Sequence, residues 1–287
     1  MTRVIVSGDD FGVSPQVNAG ILRAHREGVL RGTSLMVAEP WAEAAAQAAR
    51  AWPGLDVGLH LVVCLGRSVL GHQRLAGIVG AQGEFPRNPA VAGLRYFFDR
   101  KIRGALRDEI RAQIERHLKL VGYLNHIDGH LNFHVHPVLA DIMVELAAEY
   151  RVPCIRIPRE PIMTTLSIAR DHASRKIVES IIFRALSRRT RRMVAARGIR
   201  TTDWLFGLHQ TGFMSERYLT NIIARLPAGT GEIYFHPADD SGGAAPPDRR
   251  HETELLTSAA IRNAFDRAGV QLINFAELAH GSQMARA

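Results

Sequence analysis

Two adjacent carboxylates, Asp9 and Asp10, stand in the segment Ser7-Gly8-Asp9-Asp10-Phe11-Gly12, directly after the apolar run Val4-Ile5-Val6. The run reads as a buried strand, so the acids sit where that strand leaves the core. Side chains alternate along an extended backbone, which predicts that the pair diverges, one acid toward a metal and the other toward a substrate. Like charges this close are costly unless a cation or a shared proton relieves them. Further polar residues recur after apolar runs: His60 in Gly58-Leu59-His60-Leu61, then His126, Asp128 and His130 in His126-Ile127-Asp128-Gly129-His130. Arg156 follows Cys154-Ile155, and His236 follows Tyr234-Phe235. A carboxylate with two imidazoles suits a divalent cation such as Zn²⁺ and leaves positions for water and substrate. Water on such an ion has its pKa lowered toward about 7 and can attack a carbonyl. A second carboxylate outside the ligand set takes the proton. A histidine across the pocket protonates the leaving nitrogen, and the ion with backbone N–H groups holds the oxyanion. The inventory suits metal-assisted amide hydrolysis.

Each residue alone has a plainer reading. Asp9 and Asp10 suit turn caps, His60 a satisfied core histidine, Arg156 a surface ion pair, and His236 a turn before Pro237. The four histidines between His126 and His136 point more firmly to a site. Which of them bind is left open, because His134 and His136 also suit the strand-to-helix turn before Pro137.

The elements that must carry these residues alternate. Strand-like runs lie near Val4–Ser7, Ser34–Val37, Val57–Leu61, Tyr123–Ile127, Cys154–Ile157, Trp204–Leu208, Ile233–Phe235 and Val270–Ile273. Ser14, Pro15 and Gly28 bracket a first helix, Pro137 opens another toward Tyr150, and Ser215 caps a third before Pro227. Alternation of this kind implies parallel strands with crossover helices. About seven or eight units predict an α/β fold, an irregular TIM-like (β/α) barrel, with an open doubly wound sheet as the alternative. In a barrel the carboxyl ends of the strands share one face, where active sites are built. Insertions interrupt the rhythm near 64–104, with the aromatic triplet Tyr96-Phe97-Phe98, and near 158–201; residues 237–250 are rich in turn formers. No interdomain linker is visible, so residues 1–287 are expected to form a single domain.

Composition bounds the setting. The 46% hydrophobic content of the 287 residues suits a globular protein with a sizeable core. Cys64 and Cys154 make no disulfide framework, and Met1-Thr2-Arg3 runs into a strand with no apolar leader. A cytoplasmic protein is expected. The net charge of +8 is concentrated between Arg184 and Arg200, with seven arginines and no acid. The apolar positions Val178, Ile181, Ile182, Ala185 and Leu186 have helical spacing beside this cluster. The segment reads either as a solvated helix end or as a peripheral contact with an anionic membrane face. No recognised nucleic-acid motif accompanies the charge, so a nucleic-acid partner is not expected.

The chain resembles the YdjC-like family of carbohydrate deacetylases over nearly its whole length. "SGDDFGVSPQVNAGI" is similar to the family's opening "DDFG" signature, "VGLHL" to its second motif, "HIDGH" to its third and "YFHP" to its late His-Pro. The resemblance implies a barrel-like hydrolase that removes acetyl from an N-acetylated amino sugar. It implies one divalent ion, Zn²⁺ or Mg²⁺, on Asp10, His60 and His130, with Asp9 as general base, His236 as acid and Arg156 steadying the base. Asp128, Asn132 and His134 are the expected substrate contacts; Asn132 stands where many members carry a further histidine. "FHVHP", "IRIPREP" and "GEIYFHPADD" resemble the branch associated with hopanoid biosynthesis, which implies an N-acetylglucosaminyl lipid substrate and an approach to the inner membrane face. Soluble N-acetylglucosamine oligosaccharides are the alternative substrate. A metal-dependent phosphoesterase and a basic membrane or nucleic-acid adaptor are the rival functions.

Overall fold

The computed structural model describes residues 2–241 and 243–281. Val4, Ile5 and Val6 are fully buried, and the strand they begin, β1 (Arg3–Phe11), is the centre of the molecule. The others are β2 (Gly32–Leu35), β3 (Asp56–Leu61), β4 (His126–Gly129), β5 (Cys154–Ile155), β6 (Trp204–Phe206), β7 (Thr230–Phe235) and β8 (Gln271–Ile273). The sheet order is β5-β4-β3-β2-β1-β7-β6, and every pairing between these strands is parallel. β8 pairs with Arg3–Ile5 of β1, on the stretch that precedes the pairing of Ser7–Phe11 with β2.

Seven strands thus form a curled row, and its two ends approach each other. Ile155 N donates to Arg200 O at 3.0 Å, Arg200 N to Pro153 O at 2.8 Å and Leu205 N to Arg159 O at 3.0 Å. These bonds join β5 to the chain at β6, so the parallel sheet is TIM-like rather than an open doubly wound layer. Parallel neighbours need crossover segments, and helices fill that role. Ser14 Oγ accepts from Val17 N at the start of Pro15–Glu27, and Ser215 Oγ accepts from Tyr218 N at the start of Glu216–Ile223. Pro137 opens the helix Pro137–Glu149. Among the described residues no helix is long and apolar enough to cross a membrane.

One sequence expectation needs correction. β4 begins at His126 rather than at Tyr123, so His126 opens the strand instead of lying near its carboxyl end. Its ring stacks on Phe275 at 3.7 Å, far from any solvent-facing role. Gly58 makes this possible: a Cβ there would stand 2.2 Å from the His126 ring. The aromatic triplet divides. Tyr96 is buried with its hydroxyl donating to Val63 O at 2.7 Å, while Phe97 and Phe98 are exposed on the helix Pro89–Phe98.

The 158–201 insertion holds the helices Ile162–Ile168 and Ala173–Ala196. It is pinned to the body by Lys176 Nζ on Gln210 Oε1 (2.7 Å) and by Arg189 Nη1 on Pro137 O (3.2 Å). Part of its basic cluster is paired within the protein: Arg189 with Asp141, and Arg200 with the Leu278 carbonyl.

Candidate active site

A cavity of about 390 Å³ opens beyond the carboxyl ends of the strands, lined by Asp9, Asp10, His60, His130, Asn132 and His236 among others. The Asp pair does not diverge as strict alternation predicts. Asp10 has φ +67°, and the register of β1 against β2 shifts between Gly8 and Phe11. This left-handed residue re-aims one side chain, so both carboxylates face the cavity. Asp tolerates that region better than most residues, and strain of this kind persists where surrounding bonds fix it. Here Asn18 Oδ1 accepts from Gly12 N at 2.8 Å and holds the turn that follows.

Asp10 faces the two histidines. Its Oδ1 lies 3.0 Å from His130 Nδ1 and 3.4 Å from His60 Nε2. Two ligand atoms on one ion at bonds of about 2.1 Å stand roughly 3.0–3.4 Å apart, so this spacing fits a shared divalent cation. The three donor atoms all lie within 4.8 Å of one another. His60 is further oriented by its other nitrogen: Nδ1 is 2.8 Å from Asp128 Oδ1 and 3.0 Å from Ser34 Oγ. A ligating histidine that gives its second N–H to a carboxylate is fixed in tautomer and direction. Burial opposes ionisation of Asp10, but hydrogen bonds from His130 and His60 outweigh it and hold the carboxyl well below its usual range. Burial likewise disfavours charge on His60, yet Asp128 and Asp10 push its pKa up to about 10. The site therefore draws positive charge to the place where an ion would sit.

Asp9 faces Arg156. Arg156 Nη1 donates to Asp9 Oδ2 at 2.7 Å and Nη2 to Asp9 Oδ1 at 2.9 Å. The same guanidinium donates to Glu232 Oε1 from Nε (3.0 Å) and Nη2 (2.6 Å), and lies 2.8 Å from Asp128 Oδ2. Its plane packs 4.9 Å from the Tyr234 ring centre. Fully buried, it spans the barrel from β5 to β1, β4 and β7. Burial opposes its charge, but three carboxylates outweigh that and raise its pKa well above the ordinary value. A second acidic group, Asp9–His60–Asp128, also has ligand-like spacing, but two of its members already hold Arg156.

His236 lines the cavity, its ring 5.6 Å from that of Tyr234 and its backbone N–H on Glu252 Oε2. Asn132 has φ +54°, lines the cavity and donates to Tyr234 Oη at 3.4 Å. Asp128 and His134 do not line it, which corrects their expected role as substrate contacts. Asp128 lies beneath His60 and against Arg156. His134 is buried with Nε2 on Arg156 O at 2.9 Å, and burial pulls its pKa down to about 4.

Several contributors carry no sequence motif. Glu232 is an acid inside an apolar strand run, and that misfit was the available signal. Arg249 reaches the cavity from the turn-rich 237–250 segment, where nothing in the pattern marks it. Glu179 and Phe183, on the inserted helix Ala173–Ala196, form part of the cavity wall.

Comparison with known proteins places the chain in a family and supports its fold. A carbohydrate deacetylase of Geobacillus stearothermophilus is 32% identical over 281 residues, covering 95% of this chain and 96% of the relative. One from Brevibacillus brevis is 30% identical over 285 residues, covering 96% and 99%. A crystal structure of an Enterococcus faecalis V583 protein named for cellobiose-phosphate cleavage superposes with a TM-score of 0.75 at 23% identity, covering 96% and 98%, which supports the fold. The family model described as YdjC-like protein matches residues 3–267, and the chain belongs to that family.

Proposed function

We propose that this protein is a metal-dependent carbohydrate deacetylase that hydrolyses the acetamido group of an N-acetylated amino sugar. The observation that carries the reading is the division of labour in the Asp pair: Asp10 joins His60 and His130 in a donor set for one ion, while Asp9 is held outside that set by Arg156. Family membership and two full-length carbohydrate deacetylase relatives support the substrate class. Zn²⁺ or Mg²⁺ on Asp10, His60 and His130 would supply a Lewis acid and an activated water.

The chain's own residues do the rest. Arg156 fixes both oxygens of Asp9, which accepts the proton of the attacking water as its oxygen bonds to the acetyl carbon. The single charge of Arg156 is spread over Asp9, Asp128 and Glu232. His236, also lining the cavity, gives a proton to the amide nitrogen as the C–N bond breaks, releasing acetate and the free amine. Asn132 and the Tyr234 hydroxyl offer polar contacts to the sugar.

A lipid-linked N-acetylglucosaminyl substrate of the hopanoid type is favoured by one feature. The inserted helix that walls the cavity with Phe183 turns Ile177, Val178, Ile181 and Ile182 outward, and Phe98 on the helix Pro89–Phe98 is 73% exposed. Arg184, Arg188, Arg192 and Arg197 are exposed on or just beyond the same inserted helix, so an apolar and cationic surface accompanies the site. An acetate-release assay on such a glycolipid and on soluble N-acetylglucosamine oligomers, each with and without chelator, tests both levels. Chelator-sensitive release from either supports the deacetylase, and preference for the glycolipid supports the lipid reading. Salt-sensitive binding of anionic vesicles without any acetate release would leave only the adaptor.

A further inference from the structure

The outer oxygen of Asp10 is already taken by a cation. Arg249 Nη2 lies 2.6 Å from Asp10 Oδ2, while Oδ1 of the same carboxylate faces His130 and His60. Arg249 sits in the first turn of the helix Pro247–Thr257. Its backbone carbonyl accepts from Ala238 N at 3.1 Å, which ties it to the chain just past His236. Its side chain is 27% exposed, and Asp10 is its one ion pair among the described residues. Arg156 is different: it is buried and bonded on several sides, so it cannot leave its place. Asp9, Asp10, Asp128 and Glu232 are four buried carboxylates in one connected cluster, paired among the described residues with two guanidiniums, Arg156 and Arg249, and with the imidazoles of His60 and His130.

We propose that Arg249 is a positioning residue that serves as the resident counter-cation of Asp10. It neutralises the carboxylate before metal enters, keeps Oδ1 turned toward the two histidines, and opposes the incoming ion by like-charge repulsion. The ion is then held less tightly than its three ligands alone would hold it. The proposal rests on the metal reading above. Two effects of removing Arg249 have opposite signs, which makes the sign informative. Loss of an orienting hydrogen bond to a ligand weakens metal binding by about 10–100-fold. Loss of a positive charge a few ångströms from a dication strengthens it, and in a buried cluster the charge effect is the larger. Arg249→Gln removes the charge and retains an N–H donor, whereas Arg249→Lys retains the charge.

The test is calorimetric titration of Zn²⁺, and separately Mg²⁺, into chelator-stripped wild type, Arg249→Gln and Arg249→Lys, with a thermal melt of each stripped protein. The expected result is at least about tenfold tighter binding by the glutamine variant, a lower melting temperature of its stripped form, and lysine-variant affinity within about threefold of wild type. Unchanged or weaker binding by the glutamine variant overturns the proposal, as does equal tightening by the lysine variant. Failure of wild type to bind either ion overturns the metal reading itself, and so is told apart from a failure of this proposal alone.

Discussion

At the residue scale, two neighbouring acids are held by different partners. Asp9 is clasped by a buried arginine and Asp10 by histidines, and the left-handed backbone at Asp10 brings both to one cavity. Asp9→Asn should reduce kcat by about 10²–10⁴-fold, the range of a lost general base, with metal affinity unchanged. Paired turnover and titration measurements check this, and parallel loss of metal would place Asp9 among the ligands instead. Arg156→Met leaves three buried carboxylates without their partner and should destabilise the fold by about 3–5 kcal/mol, read from urea unfolding. A loss below about 1 kcal/mol, the range of an exposed pair, would mean that the buried network is not what orders the barrel interior. The residue types were legible in sequence; their directions were not. Alternation along a strand predicted divergence at Asp9 and Asp10, and only the bulge, which no pattern announces, overrides it.

At the element scale, the strand ends supply the site and the crossover segments set its walls. Gly20, on the helix Pro15–Glu27, touches the backbone of the loop after His236: a Cβ there would lie 2.5 Å from Ala238 Cα. Backbone cannot yield as a flexible side chain does, so Gly20→Ala should cost about 1–3 kcal/mol by overpacking. It should also lower kcat by displacing His236, and a variant with wild-type unfolding and turnover would remove this helix from the support of the site. The strand runs were readable because buried parallel strands are near-continuously apolar. Their boundaries were less so: Leu124 continues the apolar signal ahead of β4, which put His126 near the strand's carboxyl end when it is the first residue. The inserted helix Ala173–Ala196 was visible as an amphipathic, basic segment. Its inward face, with Glu179 and Phe183 on the cavity, depends on tertiary packing that spacing alone does not specify.

At the scale of the whole molecule, the interior is polar where the chemistry lies and holds neutral histidines elsewhere. His134 and His117 are buried, and desolvation takes their pKa values down to about 4 and about 3. The unfolded chain binds those protons near pH 6.5 and the folded chain does not, so stability is full above that pH and is lost as pH falls toward 4. Each group contributes about 1.4 kcal/mol per pH unit within that window. Melts from pH 7 to pH 5 should show the decline, and His134→Gln should shallow it; an unchanged slope would assign acid lability to other groups. The most direct check of the central claim is stepwise reconstitution of chelator-stripped protein with Zn²⁺ or Mg²⁺ while acetate release from N-acetylglucosamine oligomers or glycolipid is followed. Activity is expected to climb from nothing to a plateau at one equivalent of ion. Full turnover by the stripped protein, or a plateau reached only at two equivalents, would contradict a single ion held by Asp10, His60 and His130.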